Sequence, residues 1–281
     1  MSYDVCVIIP AYHAEATLPR AVASLTRQGP LAIQTVICAD DDRDYAAILA
    51  GAGIDGADIV HCRTFRPASG PAQARNTALA LAQADIIAPL DADDEFVEGR
   101  LPALIGTVGQ CGAACGPTVE FCDGVVTRIA RPQGAATALT LDDICRLRMP
   151  FVPVFRRHLV PEGWPLVSYA EDVVLNVELL TRAPSYAFVN EAAYAYHVRQ
   201  GSLSNDANTL ERARQGYAEI LAYIARADWP DTARNVLEEV IREDRAMVEA
   251  ASGNEASSRA GAWREAWKRK VNPEGNDGSA A

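Results

Sequence analysis

Three aspartates close the stretch ADIIAPLDADDEF: Asp91, Asp93 and Asp94. The apolar run Ile86–Leu90 before them reads as a buried strand, so the carboxylates gather where a strand leaves a sheet. Asp-x-Asp puts two carboxylates on the same side of an extended segment, where they can share one hard cation directly or through water. A core strand gains nothing by ending in uncompensated negative charge. A site that binds a divalent cation, and through it a diphosphate, gains a great deal. An isolated Asp-x-Asp is more often a solvated acidic turn, so its surroundings must decide.

The elements around it do decide. Asp4–Pro10, Thr35–Ala39, Ile59–Cys62 and Ile86–Leu90 read as strands. Between them, Glu15–Gln28 carries Leu18, Ala21, Val22 and Leu25 at helical spacing, Tyr45–Ala52 reads as a short helix, and Pro71–Gln83 as an Ala-rich helix with proline in its first turn. Strands alternating with helices imply a parallel sheet covered on both faces. Ligands of such sheets sit at the carboxyl ends of the strands. Pro10, Ala11 and Tyr12, then Asp40 to Asp42, then Asp91 to Asp94 all lie at such ends. Topology alone puts them on one rim.

Beyond Asp94 the pattern loosens. The spacing predicts a helix over Val97–Val108 and a hairpin of Pro117–Cys122 and Val125–Ala130 around Asp123–Gly124. A helix at Leu141–Leu147, a strand at Pro153–Phe155, a helix at Glu171–Leu180 and strands at Tyr186–Val189 and Ala193–His197 follow. From Thr209 to about Lys270 the chain reads as all-helical, with breaks at Trp229–Pro230 and Gly253.

Composition narrows the function. The 281 residues carry a net charge of -11, which argues against a nucleic-acid partner. An acidic enzyme can still bind an anionic nucleotide if a metal bridges the two. No run approaches the ~18 apolar residues of a membrane span. The start, MSYDVCVIIPAY, lacks a basic region and breaks at Pro10, so it reads as a first strand and not as a signal peptide. The 7 cysteines are scattered and odd in number, which fits a reducing cytoplasm, and the Cys111, Cys115 and Cys122 spacing is not a standard zinc knuckle.

The segments VIIPAYHAEATLPRAVASLTRQ and GPAQARNTALALAQADIIAPLDADDEF, with the later YAEDVVLNVELL and YAYHVRQGSLS, resemble glycosyltransferase family 2, the inverting transferases of the GT-A fold. The likeness is firm over Asp4–Asp94, looser over Ser168–Ser204, and absent after Asn208. It implies a Rossmann-like, mostly parallel α/β sheet with helices on both faces, to which the residue pattern adds an all-helical C-terminal extension. The implied organisation is a catalytic domain at 1–208, its nucleotide-binding half at 1–94 and its acceptor-side half at 95–208. A helical extension at 209–270 and a disordered tail at 271–281 follow.

By the same resemblance, Pro10, Ala11 and Tyr12 line the nucleotide pocket and Asp40 and Asp41 stand near the base and ribose. His13 replaces the family's usual Asn, and Asp42 and Arg43 replace its usual Gly and Ser. Arg75 of the Ala-Arg-Asn motif reaches the nucleotide. Asp93 holds Mg2+ or Mn2+, with Asp91 nearer the ribose or a metal-bound water. The Glu171–Asp172 pair occupies the general-base position. His197 and Arg199 fall where relatives contact diphosphate or metal; an arginine there would neutralise phosphate and cannot ligate a metal.

Glycosyl transfer from a nucleotide sugar must neutralise the diphosphate and deprotonate the acceptor hydroxyl. The cation meets the first need. An inverting single displacement wants one base for the second; Asp172 is the first choice and Glu171 the alternative. The pair would also be at home simply as acids at a helix N-terminus. The expected substrates are a nucleotide-sugar donor, UDP-linked, and a glycan or lipid-linked acceptor in polysaccharide or glycoconjugate assembly. Rival readings are a nucleotidyltransferase, although AYHAEATLP lacks the Gly- and Arg/Lys-rich loop expected there, and a non-catalytic nucleotide-sugar-binding scaffold. Trp263 and Trp267, among Arg259, Arg264, Lys268, Arg269 and Lys270, form a basic amphipathic segment. It would pack on the body or a sister subunit of a homodimer, or rest on the inner face of an anionic membrane. Leu210, Tyr217, Ile220, Leu221 and Ile224 give the extension an apolar face that needs a partner, although GT-A chemistry does not call for it.

Overall fold

The computed structural model describes residues 2–56, 58–132, 134, 136–146, 150–198 and 209–251. Four parallel strands form one half of a seven-stranded sheet: β1 (Val5–Ala11), β2 (Ile33–Ala39), β3 (Ile59–Arg63) and β4 (Ile86–Pro89), in spatial order β4-β1-β2-β3. Alternation along β1 explains why both faces are covered. Cys6 and Ile8 point into one apolar cluster, while Val5, Val7 and Ile9 point into the other. Burying each large aliphatic side chain stabilises by roughly 1.5–3 kcal/mol. Helices α1 (Leu18–Leu25) and α2 (Tyr45–Gly51) supply Leu18, Tyr45 and Leu49 to the second cluster. Helix α3 (Pro71–Leu79) supplies Ala74 and Ala78 to the first.

The chain then adds two short strands that apolar periodicity does not predict. β5 is only Glu95–Phe96, and β6, Gly112–Cys115, is a buried run of small residues, GAAC. Between them α4 runs Arg100–Cys111 and not from Val97, because Gly99 takes φ 76 and closes a turn in which Arg100 N–H donates to Val97. The hairpin forms as expected from β7 (Thr118–Cys122) and β8 (Val125–Ala130), with Asp123 and Gly124 both left-handed at φ 50 and 79.

After α5 (Leu141–Arg146) come β9 (Val154–Arg156), α6 (Glu171–Arg182), β10 (Ser185–Phe188) and β11 (Tyr194–Val198). β10, β6 and β9 complete the main sheet in the order β10-β6-β9-β4, with β9 antiparallel to both neighbours. β5, β11, β7 and β8 form a second, four-stranded sheet. Helices α7 (Thr209–Ile224) and α8 (Asp231–Ala251) bury Tyr217, Ile220, Ile224, Leu237 and Ile241 in the same cluster as Ile8 and Val174. Leu210 and Leu221 pack against its edge. The expected apolar face therefore finds its partner on the catalytic body. Trp263, Trp267 and the tail at 271–281 lie outside the described residues. No helix among the described residues is long and apolar enough to cross a membrane.

Candidate active site

Strand register builds the rim. Ala11 pairs with Ala39, Ala39 pairs with Arg63, and Leu90 N–H donates to Ile8 at 3.0 Å, so four strand ends come level. Ala11 is buried and Tyr12 is 41% exposed. Asp40 and Asp41 are both buried and fully engaged by the protein. Asp40 Oδ1 accepts from Thr64 Oγ1 at 2.7 Å and Ser69 N at 2.9 Å, and its Oδ2 accepts from Gly70 N at 2.8 Å. It thereby ties down the loop between β3 and α3, on which Phe65 stands 96% exposed.

Asp41 Oδ2 accepts from His13 N at 2.6 Å and Tyr45 Oη at 2.8 Å, and its Oδ1 from Arg43 N at 3.0 Å. Burial works to raise the Asp41 pKa, but these donors outweigh it and hold the carboxyl below its ordinary value. The turn manages without the family's glycine: Asp42 and Arg43 are not among the left-handed residues, whereas His13 is, at φ 48.

The acidic loop divides into different tasks. Asp94 is 1% exposed; Tyr194 Oη donates to its Oδ2 at 2.9 Å and His197 N–H to its Oδ1 at 2.8 Å. Burial, then the charges of Asp93 and Asp91, push its pKa well up. The same Tyr194 hydroxyl accepts from Asp91 N–H at 3.2 Å, so one phenol spans the loop. Behind it, Arg100 is buried between the Phe96 and Tyr194 rings, 5.5 and 5.3 Å from their centroids, and donates to the carbonyls of Ala192 and Val152.

Glu95 gathers three cationic or polar partners. Arg20 Nε lies 3.3 Å and His197 Nε2 3.0 Å from its Oε1, and Arg27 Nη2 lies 3.0 Å from its Oε2. Arg20 also donates to the Asp93 carbonyl. His197 stacks on Phe121 with centroids 5.3 Å apart. Burial, then the charge of Arg20, lowers its pKa against the pull of Glu95. The resemblance offers His197 to a metal or diphosphate, with packing as the alternative; here its Nε2 faces Glu95. Arg199 lies outside the described residues.

α3 joins this loop to the other carboxylate pair. Arg75 is 7% exposed; its Nη2 donates to Asp91 Oδ1 at 2.5 Å and its Nη1 to Glu171 Oε1 at 2.8 Å. Its neighbour Asn76 makes two bonds to one residue, Nδ2 to the Trp164 carbonyl at 3.0 Å and Oδ1 from Trp164 N–H at 2.6 Å. Gly163 leaves the room for this, since a Cβ there would sit 2.3 Å from Asn76 Oδ1. Glu171 and Asp172 open α6, and Ala170 before them is left-handed at φ 54. Such backbone is strained for a residue with a Cβ and clusters at functional sites. Burial, then the charge of Glu171, pushes the Asp172 carboxyl up to about 7, with Arg75 pulling the other way.

Arg75 thus ties Asp91 of the acidic loop to Glu171 at the start of α6, with Asp93 and Asp172 close by in the chain. A sequence profile of Glycosyl transferase family 2 matches residues 6–164. The chain belongs to glycosyl transferase family 2.

The transferase is 30% identical over 231 residues to the succinoglycan biosynthesis protein ExoU of Rhizobium meliloti (strain 1021), covering 75% of this chain and 67% of ExoU. Its fold is GT-A. The S. aureus TarS 1-349 complex with UDP-GlcNAc superposes with a TM-score of 0.69 at 18% identity, over 97% of this chain and 83% of TarS. The mannosyltransferase PcManGT from Pyrobaculum calidifontis, in complex with GDP-Man and Mn2+, gives 0.60 at 14%, over 97% and 82%.

Among the described residues of the transferase, no three His, Cys, Asp or Glu side chains converge as a metal cage. Asp91 and Asp93, two hard carboxylates on one loop, would still suit Mg2+ or Mn2+, ions that take oxygen ligands and keep positions for water. Glu95 and Tyr194 are contributors that sequence reasoning missed, and Asn76 was seen only as part of the Ala-Arg-Asn motif, without a role. Glu95 directly follows the acidic motif and Asn76 follows Arg75, so proximity to a motif was their one signal. Tyr194 gave none.

Proposed function

We propose that this transferase moves a sugar from a nucleoside diphosphate donor, UDP-linked, to an acceptor hydroxyl with inversion, in assembly of a polysaccharide or related glycoconjugate. The observation that carries the reading is the different fate of two adjacent carboxylates. Glu171 is committed to Arg75 at 2.8 Å, while Asp172 carries a pKa of about 7. A general base works best when its pKa lies near the working pH. Asp172 therefore takes the acceptor proton, and Glu171 keeps Arg75 in place.

Asp91 and Asp93 hold a divalent cation together with the donor diphosphate, and His197 stays with Glu95. The bound cation would neutralise the charge that builds on the departing diphosphate. Arg75 orients Asp91, and Tyr194 holds the loop's backbone. Tyr12 offers an exposed ring to the nucleobase, a contact that fits the 41% exposure of its side chain. The UDP preference draws on TarS, whose structure holds UDP-GlcNAc, and the expectation of a divalent ion on PcManGT, whose structure holds Mn2+.

Calorimetry of UDP and GDP, each with and without Mn2+, tests the donor half. Metal-dependent UDP binding that exceeds GDP binding supports the reading; equal or absent binding of both overturns it. For the base, product stereochemistry by proton NMR distinguishes the inverted anomer from a retained one, and retention would rule out a single displacement.

A further inference from the structure

The family profile ends at residue 164, yet α7, far beyond it, touches the backbone that presents the carboxylate pair. Gly216 sits in the middle of this helix. A Cβ there would lie 2.4 Å from Tyr169 Cβ and 2.8 Å from Tyr169 N, so only glycine permits the approach. One turn on, Glu219 Oε2 accepts from Ser168 N–H at 2.6 Å, while its Oε1 is held by Gln215 Nε2 at 2.8 Å. Tyr217 meets Tyr169 edge to face, with centroids 5.5 Å apart. Ser168 and Tyr169 lead directly into left-handed Ala170 and then Glu171 and Asp172. Farther along, Tyr223 Oη donates to Glu178 Oε1 at 2.5 Å, so α6 is gripped at a second point.

A helix that merely buried its apolar stripe would need Tyr217, Ile220 and Ile224. It would not need a glycine at the closest approach or a carboxylate on a loop amide. These two features fix where the 168–170 segment lies, and a strained turn persists only when its surroundings over-determine it.

We propose that Glu219 and Gly216 are positioning residues for the acceptor base, acting through Ser168 and Tyr169 on the orientation of Asp172. The inference rests on the reading of Asp172 as base. It replaces the expectation that the chemistry is indifferent to the C-terminal helices.

The test uses the full chain and three variants: Glu219→Ala, Glu219→Gln and Gly216→Ala. Two quantities are read, Mn2+-dependent UDP affinity by calorimetry and the kcat and KM of UDP release from whichever of UDP-glucose, UDP-galactose and UDP-GlcNAc the wild type turns over fastest. Glu219→Ala should lower kcat about 10- to 100-fold and leave UDP affinity within about twofold, since a misplaced base typically forfeits much of a ~10²–10⁴-fold contribution. Glu219→Gln keeps an acceptor for Ser168 N–H and should recover most of that rate. Gly216→Ala puts a Cβ against the Tyr169 backbone and so displaces the 168–170 segment itself; it should lose kcat as Glu219→Ala does while UDP affinity stays within about twofold.

The pH at half-maximal rate should also move in Glu219→Ala, because the surroundings of Asp172 (Glu171, Arg75 and Asp91) are rearranged. Unchanged kcat in both Glu219→Ala and Gly216→Ala overturns the proposal while leaving the donor reading intact. Parallel loss of UDP affinity and kcat overturns it as well, showing general damage. A wild type that binds no nucleoside diphosphate removes the donor reading first, and this inference with it.

Discussion

Arg75 and Glu171, 96 positions apart in the chain, are joined by a 2.8 Å ion pair between α3 and the start of α6. The other arm of the same guanidinium holds Asp91 at 2.5 Å. A planar fork can serve two carboxylates at once, and a lysine cannot reproduce that. The family resemblance implies that Arg75 reaches the nucleotide; here its guanidinium straps the acidic loop to the Glu171–Asp172 pair. Arg75→Lys should therefore lose transfer even though charge is kept. Arg75→Met, which leaves Glu171 unpaired, should cost about 1–3 kcal/mol in urea unfolding. Full activity in Arg75→Lys would show that bridging is dispensable.

Asp172 sets a pH dependence with a definite sign. Burial, then the charge of Glu171, pushes its carboxyl up to about 7 from the ordinary 3.8, and the form that could take the proton proposed above is the ionised one. The transfer rate should fall roughly tenfold per pH unit below about 7. Asp172→Asn should keep UDP affinity and lose at least ~10²-fold in rate. If Asp172→Asn stays active while Glu171→Gln is inactive, the two roles are reversed.

Stability follows the opposite course. Because the folded carboxyl holds its proton more tightly than the unfolded one, its contribution is full below pH about 4 and is lost as pH rises through about 7. Asp172→Asn should thus melt higher than wild type at pH 8, with the advantage shrinking towards pH 5. A variant that melts lower at both pH values would contradict the assigned direction.

The proposed role of Asp93 as cation ligand has a direct test. Asp93→Ala should abolish the Mn2+-dependent part of UDP binding and leave circular dichroism unchanged. Calorimetry with and without Mn2+ decides: equal metal dependence in wild type and variant rejects the assignment.

Tyr194→Phe removes one hydroxyl and two hydrogen bonds, to Asp94 Oδ2 and from Asp91 N–H, while keeping the ring against Arg100. It should destabilise by about 1–3 kcal/mol, because Asp94 loses a donor in a buried place. It should also raise the Mn2+ concentration needed for half-maximal UDP binding. A change in stability with an unmoved Mn2+ midpoint would confine Tyr194 to holding the fold.

Much of this arrangement was legible in the chain. Val5–Ala11, Ile33–Ala39, Ile59–Arg63 and Ile86–Pro89 are apolar runs punctuated by turns, and their carboxyl ends carry the polar residues. The rim followed from topology. β5 and β6 were not legible, since two residues have no period and GAAC has no β-branched side chain. The separate place of Asp94 was not legible, because sequence shows charge but not burial beneath Tyr194. Gly216 did leave a trace, a lone glycine within ERARQGYAEIL, which often marks a close approach. What it approached depended on a contact with Tyr169 that no local pattern encodes.

Asp40 has a thermodynamic consequence. Its three hydrogen bonds to Thr64, Ser69 and Gly70 secure the loop carrying Phe65 as part of folding. The conformational entropy of that loop is already spent when a donor arrives, so more of each contact's free energy survives as affinity. Nucleotide binding should then bury surface without coupled folding, with a heat-capacity change as small as that of a ligand entering a finished cleft.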